Sequence, residues 1–197
     1  MSMKHALLGF LSYKPMTGYE LKQAFDSTVH FFWNAELSQI YPALKQMERD
    51  GLLTMHIEPQ SDRPNRKVYE LTDAGHAALI EWMQEPTDLP IMKDAFLIKV
   101  FFGAALQPEL MRQHLNEQLD AHRERLRYYE TSNWESLRDI VARNPTMPDP
   151  NYWVLTLEWA LRYERTCIEW CEWALDRLDR IGEDATRALE MANSRSS

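Results

Sequence analysis

Between Glu36 and Arg49, one helical stretch carries Ser38, Gln39, Tyr41, Lys45, Gln46 and Arg49 off its apolar stripe, with Glu36 and Glu48 the only acids among them. A helix laid in the major groove of DNA needs such groups, with base readers near its N-terminal part and phosphate binders around them. Ser38, Gln39 and Tyr41 stand at the end that would approach bases or the adjacent backbone, and the Gln39 carboxamide matches N6 and N7 of adenine. Lys45 and Arg49 suit phosphates. Pro42 lies among these residues and deletes the amide that would bond to the Ser38 carbonyl, so a bend is expected near the helix start. A second set follows in Gln60–Lys67. There Arg63, Arg66 and Lys67 oppose a single Asp62, and Pro64-Asn65 makes the turn that projects them. Such a tip could lie over the minor groove or the phosphates, and Arg63→Ala with Arg66→Ala should then weaken binding and flatten its salt dependence. Tyr19 has two readings: its hydroxyl meets a phosphate at a helix N-terminus, or its ring packs on Phe10. The plain alternatives for the other residues are a solvated helix face and a soluble hairpin tip.

The elements that would position these groups follow from periodicity. Leu37, Ile40, Leu44 and Met47 recur at helical spacing, and Gly51 stops that helix. Upstream, residues 3–12 form an apolar helix closed by Pro15. Thr17-Gly18-Tyr19-Glu20 is a capping box that opens a second helix carrying Leu21, Ala24 and Phe25. Downstream, Leu53, Met55 and Ile57 alternate with polar residues at strand period, Val68–Leu71 returns, and Thr72 begins a fourth helix to about Gln84. The order helix, helix, helix, hairpin, helix is that of a winged helix-turn-helix with a two-stranded wing. Glu85–Pro90 has the composition of a linker. Domains are therefore expected at 1–86 and 87–191, with a polar tail at 192–197.

Three helices are expected after the linker: about 91–105, one opened by Pro108, and about Tyr152–Ile181, with Asn144–Pro150 breaking the chain. Trp153, Trp159, Trp170 and Trp173 crowd the last helix. A two- or three-helix arm cannot bury that much aromatic surface alone, so these residues are expected to join two copies. A sharper reading makes Trp82, Phe96, His114, His122 and Trp134 the lining of a pocket for a small aromatic effector. His114 and His122 share a helix face two turns apart, too far to hold one metal, and each reads first as a solvated or capping residue.

Bulk properties bound these readings. The chain has 22 Lys+Arg against 30 Asp+Glu, a net charge of −8. Up to Pro86 there are 8 basic against 11 acidic residues (−3), and beyond it 14 against 19 (−5). Nucleic-acid affinity must therefore come from a local patch, and it should depend strongly on salt. The acidity also motivates a competing reading, a winged helix used for protein–protein contact without specific DNA binding. No segment approaches the roughly 20 apolar residues that span a bilayer, and the N-terminus lacks the long apolar region of a signal peptide. A cytoplasmic protein with no membrane partner is expected. Cys167 and Cys171, four apart on one helix, read as reduced core thiols. No phosphate loop, nucleophile setting or metal-spaced cluster is present, so neither catalysis, metal nor cofactor is expected. Glu158/Arg162 and Glu164/Arg165 read as surface pairs.

Ala6–Leu11, Thr17–Leu21, Gln39–Leu44, Met47–Leu52 and Val68–Gly75, in this order and spacing, resemble the PadR family of bacterial transcriptional regulators. Lys93–Gly103 looks like the start of the long helical C-terminal domain of its larger subgroup, and the similarity fades after about residue 130. The resemblance implies a homodimeric repressor on a short palindromic operator of double-stranded DNA, its dimer made by the C-terminal arm with the N-terminal helix. Two recognition helices would then lie about 34–36 Å apart. Some members respond to phenolic acids and others to unrelated molecules, so the ligand does not transfer. The fold expected is mostly α, a winged helix-turn-helix followed by an all-helical dimerisation domain.

Overall fold

A computed structural model of the protein describes residues 3–59, 61, 65–133, 135 and 151–194. Among these, Met3–Leu11 forms α1, Met16–Thr17 the short strand β1, and Gly18–Ala24 α2, which continues as a π-helical turn over Phe25–Val29. Leu37–Arg49 is α3, Leu53–Glu58 and Arg66–Leu71 are β2 and β3, and Asp73–Gln84 is α4. Ala95–Phe101 is α5, followed by a 3-10 turn at Gly103–Ala105. Pro108–Tyr128 is α6, with a π-helical turn at Tyr129–Asn133, and Asn151–Ser194 is α7. The described residues fall into two compact units, one running up to Leu89 and the other from Pro90 onward.

The first unit is organised around the stripe read from α3. Ile40, Leu44 and Met47 are buried with Leu7 and Leu8 of α1, Leu21 of α2, Phe25 and Leu79 of α4. Phe10 meets Phe25 edge to face at 4.8 Å, which leaves no role there for Tyr19. The capping box forms as expected: the Thr17 hydroxyl accepts from the Glu20 amide at 3.2 Å, and the Glu20 carboxylate accepts from the Thr17 amide at 2.8 Å. Gly51 ends α3 with φ 72°, a left-handed conformation that costs a side-chain-bearing residue most. Thr72 caps α4 through the Gly75 amide.

The sheet has three antiparallel strands in the order β1-β3-β2, one more than the hairpin read from the sequence. Met16 lies opposite Tyr69 and Thr17 opposite Val68, while β2 and β3 pair from Leu53↔Leu71 to Glu58↔Arg66. The start of α2 is thereby stitched to the base of the wing.

The second unit packs α6 on α7. Met111, Leu115 and Leu119 face Leu157, Ala160, Leu161 and Cys171 in its buried part. Two expectations change. The helix expected over about 91–105 is only Ala95–Phe101, because the Asp94 carboxylate accepts from the Phe96 and Leu97 amides and sets the start. Ile91 and Met92 precede it as exposed residues outside any regular element. The last helix runs past Ile181 to Ser194, through a stretch rich in Ala, Glu, Arg, Leu and Met, which outweighs the cost of Gly182. Asn144–Pro150 lies outside the described residues.

Candidate nucleic-acid interface

The outer face of α3 carries what the sequence assigned to it. Ser38, Gln39, Tyr41, Pro42, Lys45 and Arg49 are all exposed or half-exposed, while Ile40, Leu44 and Met47 are buried on the opposite face. The helix continues through Pro42, and Ser38, whose carbonyl lost its donor, is open to water. Gln39 also serves the helix itself. Its side-chain oxygen accepts from the Glu36 amide at 3.1 Å and helps cap α3. To read adenine with both ends of its carboxamide it must release that bond.

Tyr19 projects from the first turn of α2 and is 59% exposed, which supports the surface reading of this residue over core packing. Beside it, the Tyr41 ring lies across Gly18. A Cβ built on Gly18 would sit 2.5 Å from Tyr41 Cε1, so any side chain there would push the Tyr41 ring out of this position. Buried Tyr69 of β3 has its phenol pKa raised by burial, then by the Glu48 and Tyr41 charges, so it remains neutral.

The wing differs from a simple basic tip. Arg63 lies outside the described residues, with Asp62 and Pro64. Asn65 and Lys67 are exposed. Arg66 is paired: one terminal nitrogen lies 2.7 Å from Glu20 Oε1 and the other 3.6 Å from Glu58 Oε2. Partial burial alone would raise the Glu20 pKa, but hydrogen bonds from Thr17 and the Arg66 charge outweigh it and hold the carboxyl below its ordinary value. Sequence reasoning missed this pair because its members are 46 residues apart.

The residues suggested as effector lining each have local partners where they are described. Trp82 belongs to the first unit and stacks on His5 at 4.5 Å with the rings nearly parallel. In the second unit Phe96 meets Trp170 edge to face at 6.2 Å, and His114 approaches Glu117 at 3.5 Å. Trp134 lies outside the described residues. His122 is neither solvated nor a cap. It is buried, with Nδ1 2.5 Å from the Glu164 carboxylate and its ring against Tyr163.

Glu164 is correspondingly 3% exposed and also lies 3.5 Å from Arg125 Nε, which corrects its reading as a surface partner of Arg165. Arg165 pairs instead with Glu130 at 2.9 Å. A signal existed. His122 continues the buried phase of Met111, Leu115 and Leu119, and Glu164 that of Leu157, Ala160 and Leu161, so each is a polar residue on an apolar stripe. Glu158 and Arg162 do form the surface pair expected, at 2.9 Å.

Of the four tryptophans expected to join two copies, Trp159 and Trp173 are exposed and Trp153 and Trp170 half-buried. Burial raises the pKa values of both Cys167 and Cys171, which keeps the thiols protonated and poorly reactive. Among the described residues no helix is long and apolar enough to cross a membrane, and no cluster of His, Cys, Asp or Glu has a metal-binding arrangement.

Residues 7–81 match the model of the transcriptional regulator PadR-like family, and residues 92–179 that of the virulence activator alpha C-terminal region. The negative transcriptional regulator PadR of Bacillus subtilis is 28% identical over 179 residues, 90% of this chain and 98% of that protein. The crystal structure of Bacillus subtilis PadR in complex with operator DNA superposes with a TM-score of 0.77 at 29% identity, covering 89% of this chain and 98% of that one. The same protein in complex with p-coumaric acid gives 0.71 at 27% identity, covering 90% and 98%.

Proposed function

This chain belongs to the PadR family of transcriptional regulators, and from that premise we propose that it is a homodimeric repressor of a palindromic operator, released by a small aromatic molecule. It binds operator DNA through α3, flanked by the start of α2 and the β2–β3 wing. One observation carries this reading. The face of α3 that bears Ser38, Tyr41, Lys45 and Arg49 is turned to solvent, while the opposite face is closed into the core. A helix packed in this way presents its donors as a rigid row, which is what reading a groove requires.

Ser38 and Tyr41 approach bases or the adjacent backbone. Lys45, Arg49 and Tyr19 hold phosphates, and the wing lies along the flanking backbone with Lys67 and Asn65 near it. Gln39 contributes through its free amide hydrogens while its oxygen caps the helix. Such a protein acts where the chromosome is, in the cytoplasm. Its domains divide near the Glu85–Pro90 linker, and the second unit joins two copies so that two α3 helices meet successive major grooves.

The effector class is aromatic. Support comes from the p-coumaric acid complex of the Bacillus subtilis relative and from two aromatic contacts of the second unit, Phe96 with Trp170 and His122 with Tyr163. A mobility shift with the promoter of the chain's own gene tests the DNA reading. A specific shift is expected, reversed by a phenolic compound that also quenches tryptophan fluorescence. The absence of any specific shift at low salt would favour the protein–protein module instead. A shift that no aromatic compound reverses would remove the effector.

A further inference from the structure

We propose that Glu20 and Arg66 form a bracket that sets the wing against the recognition helix, so that Arg66 acts as a positioning residue through Glu20 and is not a phosphate contact. This rests on the DNA-binding reading above. The four residues Thr17–Glu20 open α2 and reach both α3 and β3. Thr17 is strand-paired to Val68 at the base of the wing. Gly18 seats the Tyr41 ring of α3. Glu20 closes the cap of α2 with one oxygen, accepting from the Thr17 amide and hydroxyl at 2.8 Å each. With the other oxygen it accepts from Arg66 at 2.7 Å.

Arg66 in turn sits at the end of the β2–β3 ladder opposite Glu58, whose carboxylate is 3.6 Å from its second nitrogen. The guanidinium therefore spans α2 and both strands of the hairpin. Two carboxylates face this one cation, so a phosphate arriving there would meet net negative charge and would have to displace Glu20. Both partners are about 40% exposed, and ion pairs at that exposure add little to global stability. What this pair determines is the direction in which the wing leaves the sheet, because the bidentate reach of arginine ties two elements at once.

The test is fluorescence anisotropy of the full-length protein on its own promoter fragment across a KCl titration. Wild type is compared with Glu20→Gln, Arg66→Ala, the double variant, and Lys45→Ala as a phosphate-contact reference. Glutamine at this position preserves the capping box, so Glu20→Gln removes the charge and leaves α2 intact. Removing an acid beside DNA tightens binding by simple electrostatics; the bracket predicts the opposite. Glu20→Gln and Arg66→Ala should each weaken operator binding by about tenfold, and the double variant should be no worse than either. Arg66→Ala should leave the slope of log K against log salt unchanged, whereas Lys45→Ala lowers it by about 0.9. Tighter binding by Glu20→Gln, or a slope reduced by about 0.9 in Arg66→Ala, overturns the bracket and makes Arg66 a phosphate contact. Hydrogen exchange of the β2–β3 amides in the free protein gives a readout that needs no DNA. Faster exchange in both single variants supports the bracket, and unchanged protection overturns it. Failure of wild type to bind would overturn the DNA reading alone and leave the exchange result to decide the bracket.

Discussion

In the first unit Leu7, Leu8, Leu21, Phe25, Ile40 and Leu44 lose all contact with solvent; in the second, Ile98, Phe101, Phe102, Leu155, Trp159 and Trp173 keep more than half of theirs. The inner faces differ as well. Among the described residues the core of the first unit holds no buried carboxylate or cation, whereas the second buries the His122–Glu164 pair between α6 and α7. The contrast separates two roles. A unit that must hold a row of donors at constant spacing closes its core within one chain. A unit whose helices leave this much aromatic surface in water is completed by something else, and a second copy offers the same surface in return.

The sharpest way to break this comparison is to charge the open face. Trp159→Glu with Trp173→Glu should yield a monomer by sedimentation. Operator affinity should fall by about 10²–10⁴, because each half-site then binds alone. A dimer with full affinity would mean that this face serves some other partner. Next comes the closed core. Leu44→Ala should cost about 2–5 kcal/mol in denaturant unfolding, since Leu44 is fully buried and a packed core relaxes only partly around the space left. Leu155→Ala should change stability only as protein concentration changes, if that residue is covered by a second copy. Equal, concentration-independent losses at both positions would erase the distinction.

A third comparison lies inside the second unit. Glu164→Ala removes the carboxylate shared by the buried His122 and by Arg125, leaving the Arg125 cation 3.0 Å from His122 Nδ1, and should cost about 1–3 kcal/mol. Glu158→Ala, which breaks only the exposed pair with Arg162, should cost below about 0.5 kcal/mol. Thermal melts of the two variants are enough to rank them.

These contrasts also explain what was legible in the sequence. The two faces of α3 and the Thr17–Glu20 box could be read because helix period and capping are local, reaching three to four residues. The strand β1 could not, for its two residues become a strand only by pairing with β3, some fifty residues on. The Glu20–Arg66 pair was hidden for the same reason: the sequence displayed Arg66 as one of three tip charges, and only the fold brought an acid beside it. The short α5 shows a different limit. Ile91, Met92 and the residues after Asp94 look alike in hydropathy, and the start was decided by a single carboxylate cap. Glu164 was legible in the apolar phase it shares with Leu157 and Leu161; adjacency to Arg165 carries no such information, since successive helix positions do not face each other.

The smallest expected effect is the acid response of the first unit, where two groups report in different pH windows. The pKa of His5, stacked on Trp82, is lowered chiefly by burial and then by Lys4 and the N-terminal charge. The pKa of His30 is lowered chiefly by burial as well. A histidine with a depressed folded pKa favours the neutral form, so the folded state is at full strength above the ordinary histidine value. It loses stability as pH falls through the ordinary value towards the lowered one. Glu20 is depressed too, but as a carboxyl. Its contribution is complete above the ordinary carboxylate range and is lost only as pH falls through the lowered value, when the Arg66 pair breaks. Stability followed by urea unfolding from pH 7 downward should therefore decline in two steps. His5→Phe, which keeps the stacking and removes the titration, should flatten the upper step. Glu20→Gln should flatten the lower one. If neither variant alters the profile, the acid response of this unit belongs to other groups, and the part of the closed core formed by α1 and α4 is insensitive to the charge at its edge.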